Sequence, residues 1–575
     1  MSEDGGTSRR VAVVPYLWLI GFFVVPFLLI LKISLSDRAR ARPPYLPQLD
    51  LAEGASGVWS FLSGLDFENY ATLLTDSFYF RSYILSLETA LIATAFTLLI
   101  AYPMAYGLTR APQKWRNLLL ALIVLPFWIS FLIRVYAWMS ILKPNGFLDM
   151  IGQGIGVDAG TFALLNSQSA VIIGIVYSYL PFMILPLFTV LDKMDDTLLE
   201  ASRDLGASTW RTFRSITLPL SLPGVYAGCL LAFIPLVGEF VIPDLLGGND
   251  TALIGKTLWT EFFNNQDWPL ASAIAIGMLL LLLLPIAALQ KAQSRANVRQ
   301  GGTESSAGRS FTGVNRASVA AGLGFIYLPI ILVIVFSFND SRLVTVWAGF
   351  SLKWYGMLFQ NTQLLQSALL SFKLAFLSAT AATVLGVMAA LTIVRVRMFR
   401  GKNLFGFLVL APIIIPEMVI GLAFLLLFVA IDLPRGFFTL FLAHTTFGLC
   451  FVATTVQARL SGFDTTLEEA SADLGASGLQ TFWKITFPLI LPGVMSGWAL
   501  AFVLSYDDLI ISSLVTGPGA TTLPMRLYSQ MRLGVTPEVN AASTLMVLAA
   551  VLVLFSSLHL GQKRPPPPVR QRESK

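Results

Sequence analysis

The sequence is poor in the residues that build soluble surfaces, disulfides and metal sites. Only 13% of its 575 residues are charged, whereas 55% are hydrophobic and the mean hydropathy is +0.72. A soluble chain of this length needs far more polar surface, so the composition indicates an integral membrane protein. The two cysteines, Cys229 and Cys450, lie far apart within hydrophobic runs, and no disulfide framework is implied. The two histidines, His444 and His559, argue against a histidine-based metal site.

Hydrophobic runs occur in two sets of six. A membrane-spanning helix needs about 20 apolar residues. Such runs fall at 11–33, 83–108, 117–141, 169–191, 218–242 and 269–289, and then at 317–338, 366–393, 404–430, 438–458, 487–513 and 541–560. The sequence therefore predicts an all-α integral membrane protein with twelve transmembrane helices in two homologous six-helix halves. Spans that contain proline could break or tilt.

The domain organisation follows from composition and charge. We expect a first half at 1–290, a flexible cytoplasmic linker at 291–318, a second half at 319–562 and a cytoplasmic tail at 563–575. With both termini in the cytoplasm, 25 of the 39 Lys and Arg residues lie on the cytoplasmic side, in agreement with the positive-inside rule. The net charge of +6 then reflects membrane topology, and we predict no nucleic-acid binding.

A polar segment between hydrophobic spans occurs twice. Glu200–Gly224 and Glu469–Gly493 align without a gap at an offset of 269 residues, with 17 of 25 positions identical. A sharp polar repeat is not explained by lipid burial, although structural duplication alone can produce a repeat. An amphipathic helix resting on the membrane is the alternative, but the segment offers little apolar anchorage. We interpret the repeat as two copies of one docking surface.

The repeated segment predicts a helix, a turn and a second helix. Thr197 with Glu200, and Thr466 with Glu469, have the spacing of a capping box. A short helix would then run to Leu205 or Leu474 and stop at a left-handed glycine, Gly206 or Gly475. Ser208 and Ser477 would cap the second helix, which is expected to end near Pro219 or Pro488. The small residues of the first helix, which would let a partner approach closely, are Ala201, Ser202, Ala470 and Ser471.

These residues resemble the loop of the inner-membrane permeases of binding-protein-dependent ABC transporters. That loop reads E-A-A, three residues, Gly, nine residues and then I-x-L-P. The sequence departs from it at Ser202, Ser471 and Phe487. The resemblance implies that each loop docks on a separate ATPase subunit. The docking residues it implies are Glu200, Ala201, Ser202, Gly206, Glu469, Ala470, Ser471 and Gly475.

Other segments resemble the permeases of spermidine/putrescine importers. The stretches 125–128, 134–138, 238–248 and 267–269 look like the B-type subunit, and 354–355, 505–508 and 516–524 look like the C-type subunit. The resemblance implies a B–C fusion that imports polyamines and works with two ATPase subunits and an extracytoplasmic solute-binding protein in a bacterial-type inner membrane. Other small solutes of related importers, namely an opine, an aminophosphonate, thiamine or iron, stay open.

Nothing in the sequence predicts an enzyme or a bound cofactor. A phosphate loop needs four residues between its glycines, whereas six separate Gly248 from Gly255 before Lys256. This segment also faces the outside in the predicted topology. ATP hydrolysis is therefore expected from a partner, and no cofactor or metal is expected in this chain.

Ionisable residues inside spans are costly and are candidates for function. They are Glu88, Arg134, Glu239, Asp244, Lys373, Glu417, Asp507 and Asp508. Spaced carboxylates with aromatic neighbours suit a flexible polycation. The candidate substrate pathway, or an outer salt-bridged gate, comprises Glu239, Asp244, Trp268, Glu417, Tyr506, Asp507 and Asp508. Alternatively, Arg134 or Lys373 pairs structurally with an acid, and Glu88 with Lys373 across the halves.

Two other classes compete with an importer permease. A secondary transporter can also pair two six-span halves, but its signature between spans two and three is replaced by the short basic link 110–116. A membrane scaffold or sensor that retains the docking loops is the other alternative, and the charges inside the spans argue against it.

Overall fold

The computed structural model describes residues 4–48, 54–248, 250–297, 311–341, 347–396, 401–533 and 537–561. The middle of the predicted linker, residues 298–310, and the predicted tail lie outside the described residues. The helix before the linker continues to Asn297 and the helix after it begins at Gly313, so both ends of the predicted linker are helical.

The first half is helical apart from one small hairpin on the segment between the first two spans. Its elements are α1 (Asp4–Leu19), the π turn Ile20–Val24, α2 (Val25–Ser34), β1 (Asp37–Arg38), β2 (Tyr45–Leu46), α3 (Gly54–Ser63), α4 (Glu68–Thr75), α5 (Ser77–Arg110), α6 (Gln113–Val124), the 3₁₀ turn Leu125–Trp128, α7 (Phe131–Leu142), α8 (Phe147–Gly154), α9 (Gln168–Asp192), α10 (Thr197–Asp204), α11 (Thr209–Thr212), the π turn Phe213–Thr217, α12 (Leu218–Val237), α13 (Val241–Leu246), α14 (Ile254–Trp259), the π turn Thr260–Asn264 and α15 (Trp268–Asn297). Strands β1 and β2 pair antiparallel, with Asp37 opposite Leu46.

The second half repeats this order with fewer elements. They are α16 (Gly313–Ser337), α17 (Lys353–Gln360), α18 (Thr362–Arg395), α19 (Lys402–Ile414), α20 (Glu417–Ala430), α21 (Phe437–Ser461), α22 (Thr466–Asp473), α23 (Gly478–Thr481), the π turn Phe482–Thr486, α24 (Phe487–Asp507), α25 (Ile510–Val515), α26 (Leu523–Leu533) and α27 (Pro537–Gly561).

The predicted membrane fold is confirmed. Within the described residues, eight continuous helices are long and apolar enough to cross a bilayer. The third and ninth predicted spans are broken, because α6 and α7 meet at 91° and α19 and α20 at 113°. A residue before proline is forced toward an extended conformation, and Ile415, with ψ 136°, precedes Pro416 at the second break. The sixth and twelfth predicted spans coincide with α15 and α27.

The offset of 269 residues found in the sequence also relates the bounds of the helices in the two halves. Adding it to the bounds of α9, α10, α11 and α13 gives the bounds of α21, α22, α23 and α25. The identity between the halves falls toward the outer side, which suggests that the symmetry decays there. The structure shows that the helix register continues unchanged through α13 and α25. Within these helices the side chains differ, for example Asp244 against Ser513, so the two halves place different chemistry on equivalent segments of the backbone.

The first helix of the chain packs against the second half. In α1, Trp18 donates from Nε1 to Thr446 Oγ1 of α21 at 2.9 Å. The ring of Tyr16 lies 5.5 Å from the ring of Phe405 in α19. The first part of this span, α1, therefore packs on the half that follows it in sequence, whereas α2 contacts both α15 and α20.

The first helix of the second half makes the reciprocal contact. In α16, the hydroxyl of Tyr327 donates to the carbonyl of Leu122 at 2.7 Å. Gly322 of α16 lies so close to α5 that an added Cβ would be 1.9 Å from Met104 Sδ. Because the halves exchange their first spans, neither half buries its core without the other.

We predict that the two halves assemble even when the linker is cut. Residues 1–297 and 311–575, produced as separate chains in one cell, should copurify, because α1 and α16 each pack on helices of the other half. Each half produced alone should be degraded or aggregate. Affinity purification through a tag on one half measures the association, and recovery of folded single halves would contradict the exchange.

Candidate functional site: two repeated loops and a carboxylate cluster

The first helix of each repeated loop ends as the sequence predicts. Gly206 and Gly475 have φ values of 75° and 82°, which favour glycine. The amide of Gly206 donates to the carbonyl of Arg203, and the amide of Ala207 donates to the carbonyl of Ser202. This pair of bonds is a Schellman motif, and it recurs 269 residues later.

The predicted capping boxes are wrong. Thr197 and Thr466 are the first helical residues rather than N-caps, and the N-cap residues make no side-chain capping bond. Instead, Asp195 and Asp464 accept from the amides of Thr197 and Thr466 at 2.9 and 3.0 Å. This hydrogen bond lowers the pKa of each carboxyl group. A carboxylate two residues upstream therefore accepts from the threonine amide that Glu200 or Glu469 was expected to satisfy.

The small serines of the first loop helix face inward. Ser202 and Ser471 are buried, and their Oγ atoms lie 2.9 Å from Thr212 Oγ1 and Thr481 Oγ1. The expectation that these serines let a partner approach is therefore wrong. They join the two helices of each loop and fix the angle between them.

The second loop helix begins as predicted but does not end at the proline. Ser208 Oγ accepts from the amide of Arg211, and Ser477 Oγ accepts from the amide of Gln480. The helix then continues through a π turn into α12 or α24, with Pro219 or Pro488 in the first turn. The wider π turn precedes the proline, whose missing N–H would break a regular α-helix. Each loop is thus continuous with a membrane span.

The exposed tip of each loop carries a leucine that the sequence analysis did not include among the docking residues. Glu200, Ala201, Glu469 and Ala470 are exposed as expected of docking residues. Leu205 and Leu474, at the loop tips, are 88% and 89% exposed. Both copies of the loop keep a leucine directly before the glycine, and this shared leucine is the signal in the sequence that could have identified the residue.

An ion pair anchors each loop to the second span of its own half. Arg110, which ends α5, lies 3.2 Å from Asp196, whereas Arg395, which ends α18, lies 2.9 Å from Glu468. Glu468 also accepts from Thr486 Oγ1 at 2.6 Å. The arginines are equivalent but their partners are not, since Asp196 precedes its loop helix and Glu468 lies within its own.

Glu239 lies where the first half folds back after α12. Its Oε1 accepts from the amides of Phe240, Val241 and Ile242 at 3.0–3.3 Å, and its Oε2 accepts from Tyr179 at 2.9 Å. The carboxylate therefore caps the short helix α13.

Asp508 has the equivalent role in the second half. It accepts from the amides of Ile511 and Ser512 at 3.2 and 2.6 Å and caps α25. The neighbouring Asp507 accepts from the amide of Phe131 at 2.7 Å, at the start of α7 in the other half. Two adjacent carboxylates thus cap helices of both halves.

The four acids of the site form one group, which we call the carboxylate cluster: Glu239, Glu417, Asp507 and Asp508. Glu417 begins α20 at the break of the ninth span, and the residue before it, Pro416, lies against Gly238, the residue before Glu239. Arg134 of α7 is buried and interacts electrostatically with Asp507. The cluster therefore contains more acidic than basic residues. It lies where the second helices of the two broken spans, α7 and α20, begin.

The other predicted pathway residues occupy different surroundings. Asp244 accepts a hydrogen bond from Tyr528 and lies 3.8 Å from Arg532 Nε, both in the second half. This contact joins the halves and fits the expected salt-bridged gate. Tyr506 stacks on Phe502 and neighbours Asp507. Trp268 instead stacks on Phe262 at 5.0 Å, at the beginning of α15.

Glu88 and Lys373 do not form the expected pair. They occupy equivalent positions of α5 and α18, and both are exposed. Among the described residues, no ion pair joins them. Each lies on the outer face of its own half, so the equivalence reflects the repeat and not a contact.

A family model described as the inner membrane component of binding-protein-dependent transport systems matches the chain twice, at residues 97–298 and 382–564. Each match contains one copy of the repeated loop. The relatives are about half as long as this chain and are matched over most of their own length.

Three relatives illustrate the similarity. The putrescine transport system permease protein PotI of Escherichia coli (strain K12) is 46% identical over 245 residues, which are 42% of this chain and 87% of PotI. The spermidine/putrescine transport system permease protein PotC of the same strain is 45% identical over 41% of this chain and 89% of PotC. The permease protein PotB of Haemophilus influenzae (strain ATCC 51907 / DSM 11121 / KW20 / Rd) is 39% identical over 49% of this chain and 92% of PotB.

We predict that Glu468 and Arg395 stabilise the second loop jointly. In a double-mutant cycle of Glu468→Gln and Arg395→Gln, the coupling energy should be about 0.5–1 kcal/mol, because the pair is only partly buried. Thermal unfolding in detergent measures it. The matched control is Glu469→Gln, one residue along and exposed, which should leave the unfolding temperature unchanged. A zero coupling energy would contradict the anchoring role.

Proposed function

The chain belongs to the family of inner membrane components of binding-protein-dependent transport systems, and we propose that it carries polyamines, namely spermidine or putrescine, into the cytoplasm. It is the permease of an ABC importer, with both permease halves in one polypeptide. The observation that supports the polyamine proposal most directly is the carboxylate cluster of Glu239, Glu417, Asp507 and Asp508. The relatives named for putrescine and spermidine transport support it as well.

The chemistry of the cluster suits a flexible polycation. A polyamine carries several ammonium groups along an apolar chain, and spaced carboxylates can pair with them in turn. Three of the four acids already accept backbone amides, so their positions are fixed before the solute arrives. The aromatic ring of Tyr506 lies next to Asp507 and can contact an ammonium group through its face.

The exposed loop tips are the surfaces through which ATP hydrolysis by a partner would drive transport. We propose that two ATP-binding cassette subunits each bind one loop, through Glu200, Ala201 and Leu205 in the first copy and the equivalent residues in the second. Closure of the ATPases would move the loops, and because each loop is continuous with α12 or α24, the movement would reach the carboxylate cluster. The Asp244–Tyr528 contact would then open as the outer gate, a rigid-body change between two states.

The remaining proposals concern the solute-binding protein, the orientation of the termini and the absence of a bound nucleotide or cofactor. We propose that an extracytoplasmic binding protein delivers the solute to the outer segments, and that both termini are cytoplasmic. The first half would correspond to the B-type and the second to the C-type subunit. We propose that the chain binds neither nucleotide nor cofactor, since Gly255 of the string 248–257 is buried and its Cβ position lies 2.6 Å from the carbonyl of Gly238.

We predict that a charge at the loop tips abolishes ATPase binding. Leu205→Asp together with Leu474→Asp should weaken copurification of the ATPase at least tenfold, because each leucine is expected to enter an apolar pocket and an aspartate there would lose its hydration. The matched control is Leu74→Asp, which changes another exposed leucine, 75% exposed, between the first two spans. Unchanged copurification of the double variant would contradict docking through the tips.

We predict ATP-dependent uptake of polyamines. Proteoliposomes that contain the chain, its ATPase and its binding protein should take up radiolabelled spermidine or putrescine only with ATP on the ATPase side. Glu417→Gln and Asp507→Asn should each lower uptake about tenfold, the loss expected from one charged contact. Glu88→Gln, an exposed acid of a span outside the cluster, is the control and should transport normally. ATP hydrolysis without polyamine uptake would keep the importer and exclude polyamines as its solute.

A further inference from the structure

His444 sits in a network of hydrogen bonds that joins four helices, α18, α21, α24 and α25. It is buried in α21, the span that enters the second loop. Its Nδ1 lies 2.6 Å from Ser505 Oγ of α24, and its Nε2 lies 3.3 Å from Asp508 Oδ2 and 3.1 Å from Ser512 Oγ. Ser505 Oγ is in turn 3.0 Å from Ser378 Oγ of α18. One tautomer fits these distances: Ser505 donates to Nδ1, and Nε2–H donates to Asp508 and Ser512.

The first half contains the same joint with a different donor. Tyr179 of α9, the span that enters the first loop, donates to Glu239, the residue equivalent to Asp508. The residue equivalent to His444 is Ile175, so the donor is displaced by four residues, about one helical turn. In both halves, the span that enters a loop is bonded to the carboxylate at the end of the span that leaves it.

The joint also reaches the neighbouring broken span. Asp508 holds the first turn of α25, and α25 packs closely on α20, where a Cβ on Gly421 would lie 2.5 Å from Leu514 Cδ1. Glu417 begins α20. A displacement of α21 at His444 would therefore move Asp508, α25 and the helix that carries Glu417.

We propose that His444 is a positioning residue for transport: it transmits movement of the second loop to Asp508. This proposal rests on the proposed function. Tyr179 would supply the same link to Glu239 in the first half.

The surroundings of His444 define what it can orient. Asp508 is the carboxylate that faces the imidazole. The sides of α18 and α24 present hydroxyl groups, those of Ser378 and Ser505. Loss of the imidazole would therefore leave Asp508 without its partner from α21.

The first test compares uptake with ATP hydrolysis in the same proteoliposomes. His444→Ala should lower solute uptake per ATP hydrolysed about tenfold, the loss expected from one hydrogen bond to a charged group, with basal hydrolysis retained. His444→Gln, which keeps a neutral donor, should restore most of the ratio. Thr445→Val, a buried substitution on the next residue of α21, should leave it unchanged. A parallel fall of uptake and hydrolysis in both His444 variants, or no change in either, would overturn the proposal.

A gate measurement separates this proposal from the choice of solute. Asp244→Cys with Tyr528→Cys places two thiols at the Asp244–Tyr528 contact, and ATP should reduce their disulfide cross-linking as the gate opens. In the His444→Ala background, cross-linking should persist with ATP, and a response equal to the parent would overturn the proposal. A parent that responds to ATP but takes up no polyamine would contradict the proposed solute, and the cross-linking would still decide the role of His444.

Discussion

The binding of carboxylates to the free amides of helix N-termini is the interaction on which the interior of this protein depends. The bilayer core offers no water to satisfy backbone groups, so a helix that begins there needs an internal acceptor. Glu239 and Asp508 satisfy the first amides of α13 and α25, and Asp507 satisfies the first amide of α7. The same charges that permit broken helices at this depth are the charges proposed to bind the solute. The side chains that stabilise the broken helices are therefore the same ones that are proposed to bind the solute.

The exchange of first spans explains why a single chain is a natural form for this protein. Because α1 packs on the second half and α16 on the first, the two halves share one core. Joining them through the segment between α15 and α16 fixes their ratio and their pairing. Within one chain the two halves can also differ in side chains, since each carboxylate has its own donor, Tyr179 in one half and His444 in the other.

The comparison of expectation with structure separates two kinds of inference. Glycine at the end of each loop helix was predictable, because few other residues adopt its positive φ without strain. The start of that helix was not, because Glu200 and Asp195 both offer an oxygen to the amide of Thr197 and only the path of the chain decides between them. The inward position of Ser202 was likewise set by Thr212, ten residues further on. The angle between the two helices decides such contacts, and no periodic pattern in the sequence records it.

The sequence by itself determined the membrane class, the two halves, the repeated loops and the group of acids that includes Glu239 and Asp508. These follow from hydrophobic length, from duplication and from the cost of charge in lipid, all of which are local properties. Tertiary structure alone decided that the first spans are exchanged, that Asp244 meets Tyr528 across the halves, and that His444 rather than a residue equivalent to Tyr179 holds Asp508. The reason is physical: these contacts depend on which faces of distant helices meet, and the packing of the whole bundle sets that.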